Sequence, residues 1–272
     1  LQEPFFLLLL KFLNFNFKLA VRTPSAIING KNKYEEKNIK LIIKNKNFFV
    51  YFYKYADLVI TSSKDNKTFF EKKIGAKKVV TMNNFFPKKK ISIKQKNQTK
   101  NVFFIGRLTW DKNPTFFLKS LIPLLNKKNF NIHIVGDGPD YNQLIKIAEK
   151  YKNKVKFHGF VKNPFKKFAK KIDIFSINSK FDGTPNVMGE AMAFKIPCIA
   201  PKMVGLTDIF LAGGKYGVLY KPDNQLDYQK KIIHMLNNYQ SYLKKANLAY
   251  KSLDRFNLQN TLGKTEKLLL KI

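Results

Sequence analysis

The segment from Asp182 to Glu190, with the sequence DGTPNVMGE, places two carboxylates eight positions apart. Pro185 is suited to the first position of a helix, where its missing N–H is not needed. Asp182 is therefore predicted in a loop and Glu190 in the first turn of the helix, whose free N–H groups favour an anion. This pattern favours a phosphorylated, polyhydroxylated ligand, with phosphate on the amides and hydroxyls on the carboxylates. The alternative is a capped helix whose acidic residues answer the helix dipole.

A pair of cations follows an apolar run that is predicted to be a strand: Arg107 comes directly after Gly106, and Lys112 five positions later. Arg offers a planar fork of donors and Lys a compact charge, which together suit a diphosphate whose charge must be held while it leaves. The alternative is a surface Lys beside an Arg salt bridge. Only three of the 51 basic residues are Arg, so an Arg at a strand end favours the functional interpretation.

Two further strand ends carry weaker signals. Gly136-Asp-Gly-Pro139 allows the backbone to approach a ligand closely, but it equally forms a tight turn. The backbone edge at Phe157–Val161 is suited to meet a base. Within it His158 is interpreted as a structural strand-end residue, and His133 and His234 as packing or surface residues.

These strand ends belong to a regular alternation of strands and helices, which predicts a parallel sheet covered on both faces, with ligands at the carboxyl ends of its strands. The predicted strands are Val102–Ile105, Ile132–Val135, Val155–Phe157, Ile172–Ile177, Pro197–Ala200 and Gly217–Tyr220. The predicted helices are Pro114–Asn126, Tyr141–Tyr151, Pro164–Lys170, Pro185–Phe194, Gln225–Asn237 and Tyr239–Leu253.

The chain upstream forms a separate block, residues 1–87, and the Lys-, Gln- and Asn-rich segment 88–100 is the predicted linker. Residues 101–256 form the second domain, and 257–272 a final helix centred on Leu258–Leu270. In the first block the predicted helices are Phe5–Phe15, Tyr34–Lys46, Phe48–Tyr55 and Ser63–Ile74, and the strands Lys18–Arg22, Ala56–Ile60 and Lys78–Met82.

The length of 272 residues and a hydrophobic content of 44% support one large or two modest folded domains and exclude wholesale disorder. The single cysteine, Cys198, lies in an apolar strand pattern and is interpreted as a core residue. The absence of a disulfide framework fits a reducing compartment. The richest apolar run, Phe5–Leu10, is much shorter than the ~20 residues of a membrane span. No secretory signal is evident either.

The net charge of +33 suggests a polyanionic partner. Because the excess is Lys spread along the whole chain, while base readout and bidentate phosphate binding favour Arg, we expect no specific nucleic-acid partner. A Lys-rich surface is also drawn to anionic lipid, by roughly 1 kcal/mol per residue near the membrane. Peripheral contact with an anionic membrane is therefore the preferred interpretation of the charge.

Taken in order, the motifs resemble the retaining glycosyltransferases of family 4, which have the GT-B fold. The resemblance rests on Gly106-Arg-Leu with Lys112-Asn, Gly136-Asp-Gly-Pro, Phe157-His-Gly-Phe and Asp182–Glu190, and covers about Asn101 to Tyr220. It implies an α/β protein with two Rossmann-like domains built on parallel sheets, the N-terminal one incomplete. It also implies transfer of a sugar from a UDP- or GDP-linked donor, with retention at the anomeric carbon and with no cofactor or metal.

The resemblance implies a role for each matching residue. Arg107 and Lys112 neutralise the donor diphosphate, Glu190 holds the ribose hydroxyls, and Asp182 contacts the transferred sugar. The leaving phosphate itself assists the acceptor hydroxyl, so no protein nucleophile is required. The remaining expected donor contacts come from Gly106, Gly138, Phe160, Val161, Thr184, Asn186 and Val187.

Two departures from the family pattern bear on function. Asp182 stands where the family usually has Glu, and the first block is about half the usual length. The expected acceptor is a glycan or a lipid-linked molecule in cell-surface polysaccharide or glycolipid synthesis, with the protein in the cytoplasm, at the inner face of the membrane. The alternatives are a truncated remnant that binds nucleotide or a partner without turnover and, as a weaker one, a basic nucleic-acid-binding protein.

Overall fold

The computed structural model describes residues 3–13, 16–22, 48–61, 67–68, 70–76, 78–82, 84–89, 99–180, 182, 185–203 and 210–256, with 259, 263, 266, 267 and 270. These residues form two compact units. One contains the described residues up to Phe85, Asp182 and those from Phe256 onward; the other contains the rest. The predicted helix Tyr34–Lys46 lies outside the described residues, and so does most of Leu258–Leu270.

The first unit contains a three-stranded parallel sheet in the order β1 (Ala20–Arg22), β2 (Leu58–Thr61) and β3 (Val79–Thr81). Val59 pairs with Val21 on one side and Val79 on the other, and all three are buried. Leu8, Tyr53 and Phe70 pack in the same core. The other elements of this unit are helix α1 (Glu3–Phe12), a 3₁₀ helix (Phe48–Tyr55) and a π-helical turn (Phe70–Ile74).

The second unit is a six-stranded parallel sheet with helices in the crossovers. Its strands are β4 (Lys100–Ile105), β5 (Phe130–Val135), β6 (Val155–Phe157), β7 (Ile174–Ser176), β8 (Cys198–Pro201) and β9 (Val218–Tyr220). Its helices are α2 (Pro114–Leu121), α3 (Tyr141–Ala148), α4 (Pro164–Phe168), α5 (Asn186–Ala193), α6 (Gln225–Asn237) and α7 (Tyr239–Lys251). The predicted alternation of strands and helices, and the parallel sheet, are confirmed.

The strand order β6-β5-β4-β7-β8-β9 reverses direction between β4 and β7. Val102 of β4 pairs with Ile132 of β5 on one side and Ile174 of β7 on the other. In open parallel sheets, ligands bind outside the carboxyl ends of the strands at such a reversal point. A ligand site is therefore expected at the segments that follow β4 and β7.

The core of the second unit explains why its strands read as continuous apolar runs. Residues Val102–Ile105 of β4 are all buried, as are Ile174 and Phe175 of β7. A parallel sheet whose faces are both covered by helices buries its strands on both sides. Phe117, Phe130 and Tyr228 are fully buried in the same core.

The helix predicted over Pro114–Asn126 is shorter than expected, because α2 ends at Leu121 and gives way to a 3₁₀ turn that contains Pro123. Pro123 has no N–H to donate to the carbonyl of Lys119. Gln225 Nε2 donates to that carbonyl instead, at 3.3 Å. The predicted linker is likewise too long at its end, since β4 begins at Lys100.

Within the described part of the chain, no helix has both the length and the apolar content needed to cross a membrane.

Candidate functional site

The segment after β4 is fixed by backbone hydrogen bonds to the segment after β5. Leu108 is fully buried; its N–H donates to the carbonyl of Asp137 at 2.8 Å, and its carbonyl accepts from the N–H of Asp140 at 3.0 Å. The N–H of Gly106 donates to Val135 O at 3.0 Å. These bonds continue the β4–β5 ladder beyond the strands and hold Arg107, between two anchored residues, at the carboxyl edge of the sheet.

Gly138 is required by this packing rather than by a ligand alone. Its φ is +154°, and an added Cβ would lie 2.5 Å from the carbonyl oxygen of Leu108. Gly106 is different, because a Cβ there would meet only the ring of Phe104, at an ordinary 3.8 Å. The sequence suggests that Gly138 lets the backbone come close to a ligand. In the structure the close contact is with the backbone of Leu108.

Replacing Gly138 with Ala should lower the free energy of unfolding by roughly 2 kcal/mol, because the new methyl group clashes with backbone and the conformation is strained. The Gly106→Ala variant should change it by less than about 0.5 kcal/mol. Urea unfolding of both variants measures the difference. Equal destabilisation of the two would mean that the segments after β4 and β5 are not held together in this way.

The two candidate cations share one carboxylate, which the sequence did not single out. Asp111 Oδ2 lies 3.5 Å from Arg107 Nη2 and 3.6 Å from Lys112 Nζ. The hydroxyl of Thr109 donates to the other carboxylate oxygen at 2.6 Å. The Arg107 side chain is 71% exposed, whereas that of Lys112 is 23% exposed. The structure therefore brings both cations together at the edge of the sheet.

The segments after β4 and β7 are joined through Lys180. Its N–H donates to the carbonyl of Asp111 at 2.9 Å, and its ammonium lies 4.6 Å from the centroid of the half-exposed Trp110 ring. An ammonium over an indole face is attractive. The segment after β4 and the segment after β7 are thus in direct contact with each other within the second unit.

A buried polar network supports the start of the segment after β7. Ser176 Oγ donates to Asn178 Oδ1 at 2.8 Å and lies 2.8 Å from Tyr228 Oη, while Asn178 Nδ2 donates to Tyr220 Oη at 3.0 Å. Burial raises the pKa of both tyrosines, so each keeps its proton. Because every member is hydrogen-bonded, the network can hold Asn178 in one position.

The helix that carries Glu190 begins one residue later than predicted. Pro185 has φ −67° and ψ 112°, so it is the extended residue that precedes α5 rather than its first helical residue. Glu190 is the fifth residue of α5 and lies beyond the first turn, so the prediction that it lies in the first turn is wrong whether the helix is counted from Pro185 or from Asn186. At 1.5 Å rise per residue it lies roughly 6 Å along the helix from Asn186. Its carboxylate therefore does not serve the helix N-terminus, which weakens the alternative of a simple dipole interaction.

Among the described residues the side chain of Glu190 makes neither a hydrogen bond nor an ion pair, although the chain contains 51 basic residues. Partial burial raises the pKa of its carboxyl above the usual value. A carboxylate without such a partner is available to accept hydrogen bonds from ligand hydroxyls.

The other residues predicted near this helix are placed only in part. Asp182 is buried, and Asn186 and Val187 form the first turn of α5, where backbone N–H groups point out of the helix end. Thr184 lies outside the described residues. Gly189, next to Glu190, is fixed by packing, since a Cβ there would lie 2.5 Å from the ring of Phe86.

Phe160 and Val161 follow β6 at the same edge of the sheet. The Phe160 side chain is 79% exposed, and Val161 is half-buried. The preceding Gly159 turns the chain with φ +62°, and its carbonyl accepts from the N–H of Gly136 at 2.8 Å. An exposed aromatic ring at a ligand-binding edge offers a face on which a base can stack.

His133 in β5 and His158, directly after β6, contact each other within the second unit. His133 Nδ1 lies 2.9 Å from His158 Nε2, and His133 Nε2 lies 3.2 Å from Asn101 Oδ1. His133 also stacks on Phe103, with 4.3 Å between ring centroids. Burial, followed by the charges of His158 and nearby Lys residues, lowers the pKa of His133 to about 3. The ring therefore stays neutral at physiological pH and contributes packing and hydrogen bonds.

Asp111 is the residue that sequence reasoning missed. A signal was present: in a chain with only 18 acidic residues, one acid lies four positions after Arg107 and next to Lys112. Within the described residues there is no group of three His, Cys, Asp or Glu side chains placed to hold a metal ion.

Comparison with known proteins gives a consistent answer. An uncharacterised glycosyltransferase of Methanocaldococcus jannaschii is 30% identical over 203 residues, which cover 64% of this chain and 50% of that protein. The GalNAc-alpha-(1->4)-GalNAc-alpha-(1->3)-diNAcBac-PP-undecaprenol alpha-1,4-N-acetyl-D-galactosaminyltransferase of Campylobacter jejuni is 25% identical over 225 residues, which cover 81% of this chain and 61% of that enzyme. The chain thus spans between half and about three fifths of the length of these relatives.

A crystal structure of Anabaena HepE in complex with UDP and glucose superimposes with a TM-score of 0.77 at 19% identity, covering 94% of this chain and 72% of that one. This likeness concerns the fold, and the prediction of a GT-B-like α/β fold is confirmed. The family model for glycosyl transferases of group 1 matches residues 99–238, just over half of the chain and most of the described second unit, up to the start of α7. The chain belongs to the glycosyl transferases of group 1.

Proposed function

We propose that this chain is a retaining glycosyltransferase of the family 4 type, which moves a sugar from a UDP- or GDP-linked donor to a glycan or lipid-linked acceptor. The observation that carries the proposal is the pair of cations at the carboxyl end of β4. Arg107 and Lys112 lie within 3.6 Å of a common carboxylate, at the point where the strand order reverses. This is where a parallel sheet of this order binds a nucleotide.

The cations supply what the reaction needs most. When the bond between sugar and diphosphate breaks, negative charge builds up on the leaving phosphate oxygen. Preorganised positive charge aimed at that oxygen lowers the barrier, because it interacts more strongly with the transition state than with the bound donor. Lys112, which is less exposed than Arg107, is less screened by water and should supply the larger share.

The remaining residues bind the donor. The carboxylate of Glu190 accepts hydrogen bonds from the ribose hydroxyls, and its lack of a partner among the described residues supports this role. The ring of Phe160 and the backbone of Val161 face the base. The N–H groups of Asn186 and Val187 face phosphate and sugar, the backbone at Gly106 faces the diphosphate, and Asp182 contacts hydroxyls of the transferred sugar.

Retention needs no covalent protein intermediate in this proposal. A phosphate oxygen of the leaving diphosphate takes the proton of the acceptor hydroxyl while that hydroxyl attacks from the same face of the sugar. The donor diphosphate is thus both the leaving group and the base. The nucleotide sugar is a substrate, and no cofactor is part of the proposal.

The acceptor is assigned to cell-surface polysaccharide or glycolipid synthesis, which the name of the Campylobacter jejuni relative supports because it specifies an undecaprenol-linked acceptor. A net charge of +33 further supports contact with the anionic, cytoplasmic face of a membrane. If the protein fails to sediment with anionic lipid vesicles even at low salt, this part of the proposal is wrong.

Thermal unfolding with UDP, GDP and their sugar conjugates tests the donor site. A ligand present at a hundred times its dissociation constant should stabilise the protein by about 2.7 kcal/mol. A selective shift with one base supports the proposal, and transfer of sugar with retained anomeric configuration, followed by NMR, completes it. Binding without transfer to any acceptor favours a nucleotide-binding protein without turnover. No shift from a folded protein contradicts a donor site.

A further inference from the structure

Asp111 occupies an unusual position for a residue beside a diphosphate site. It is an anion placed between the two cations that are proposed to hold the donor, and so it competes with the donor for them. Thr109 donates to its Oδ1 at 2.6 Å, while Arg107 and Lys112 lie 3.5 and 3.6 Å from its Oδ2.

The distances indicate which partner is firmly held. The contact with Thr109 has the length of a strong O–H···O⁻ bond, whereas the contacts with the cations exceed the 2.7–2.9 Å of a charge-assisted N–H···O bond. The carboxylate is therefore anchored to its own loop, and the cations are associated with it only loosely. Contacts of this length with Asp111 can be exchanged for contacts with another anion at small cost.

We propose that Asp111 is an internal counter-anion that holds Arg107 and Lys112 when the site is empty and gives them up to the diphosphate when the donor binds. This inference rests on the proposed donor site. Asp111 keeps two like charges together in the empty protein, and it repels the diphosphate once that is bound. Compared with a site without this charge, the nucleoside diphosphate product therefore binds more weakly and is released faster.

The Asp111→Asn variant isolates the charge. An Asn side chain keeps an oxygen that can accept from Thr109, and the bond from Lys180 N–H uses the backbone carbonyl of residue 111, which is unchanged. Losing one negative charge a few ångströms from the diphosphate should tighten binding by about tenfold, the size of a unit interaction at that range in a largely aqueous site.

The experiment is isothermal titration of wild type and Asp111→Asn with UDP, GDP and uridine, with UDP release followed by stopped flow. We expect about tenfold tighter binding of the preferred nucleoside diphosphate, slower release and an unchanged affinity for uridine, which carries no phosphate. The gain should shrink as salt is raised, because screening weakens the repulsion that has been removed.

Asp137→Asn is the matched control. Asp137 lies at the same edge of the sheet, its Oδ1 accepts from the N–H of Gly138 at 2.7 Å, and among the described residues it forms no ion pair. Equal tightening in both variants would assign the effect to net charge and overturn the inference, and so would unchanged or weaker diphosphate binding by Asp111→Asn. If wild type binds neither UDP nor GDP, the proposed function fails first and the inference falls with it.

Discussion

Replacing Lys112 with Ala should lower the turnover number by about 10²–10³-fold, the usual cost of removing one group that stabilises developing charge. The apparent KM for the donor should rise much less, because the interaction is strongest when the sugar–phosphate bond is breaking. Arg107→Ala should have a smaller effect, since that side chain is 71% exposed and its charge is more screened.

Steady-state kinetics with the preferred nucleotide sugar measures both variants. Lys119→Ala is the control, because Lys119 is exposed on α2 and its removal changes net charge by the same amount. Equal losses in the Lys112 and Lys119 variants would show that only the overall charge matters. That result would remove Lys112 from the site.

Replacing Glu190 with Ala should abolish discrimination between UDP and 2′-deoxy-UDP, or between GDP and its deoxy form. Hydrogen bonds to a charged group contribute about 1.5–3 kcal/mol, so wild type should prefer the ribonucleotide by roughly 10–100-fold. The variant should bind the two nucleotides with similar affinity. Glu149→Ala, which removes an exposed carboxylate after α3, should leave the preference unchanged.

The raised pKa of Glu190 gives this prediction a pH dependence. The ionised carboxylate can accept from both ribose hydroxyls, whereas the protonated form must donate at one oxygen. Ribose preference should therefore fall as the pH drops through the raised pKa, at a higher pH than for an ordinary Glu, and the Ala variant should show no such fall. A preference for ribose that survives in the Glu190→Ala variant would contradict the assignment.

The same pKa shift predicts a stability effect of opposite sign. Because the folded state raises the pKa, the ionised carboxylate is less favourable in the folded than in the unfolded protein, and stability declines as pH rises past the unfolded pKa. Removing the charge should then leave the empty protein equally or slightly more stable near neutral pH. Loss of binding with no loss of stability is typical of a residue retained for function.

The strands of the second unit can be predicted from the sequence, because a strand that is buried on both faces consists of consecutive apolar residues. Val102–Ile105 stands out for this reason and is buried along its whole length. Helix ends are harder to predict. The carbonyl of Lys119, which Pro123 cannot bond, accepts instead from Gln225, about a hundred residues away. A single sequence does not reveal such a distant partner.

For the site, the sequence indicated residues but not their relations. Arg107 and Lys112 were recognised from type and position, whereas the shared contact with Asp111 depends on how the loop turns after Leu108. The residue type of Pro185 permits either the first helical position or the one before it, and the structure has the second. Glu190 is the sixth helical residue if the helix starts at Pro185 and the fifth with the observed start at Asn186, so it lies beyond the first turn in either case.

The central pairing of the sheet also sets the order in which this protein can fold. β4 and β7 are joined across about seventy residues: Asn101 N–H donates to Asp173 Oδ2 at 2.9 Å, and Asp173 N–H donates to Asn101 O at 3.0 Å. Parallel strands so distant in sequence pair slowly, since a long loop must close before the contact forms. During synthesis, the segment after β4 that carries Arg107 and Lys112 therefore emerges from the ribosome before β7, the strand that pairs with β4. The nucleotide can bind only after β7 has paired with β4. Ligand should therefore slow unfolding without speeding folding.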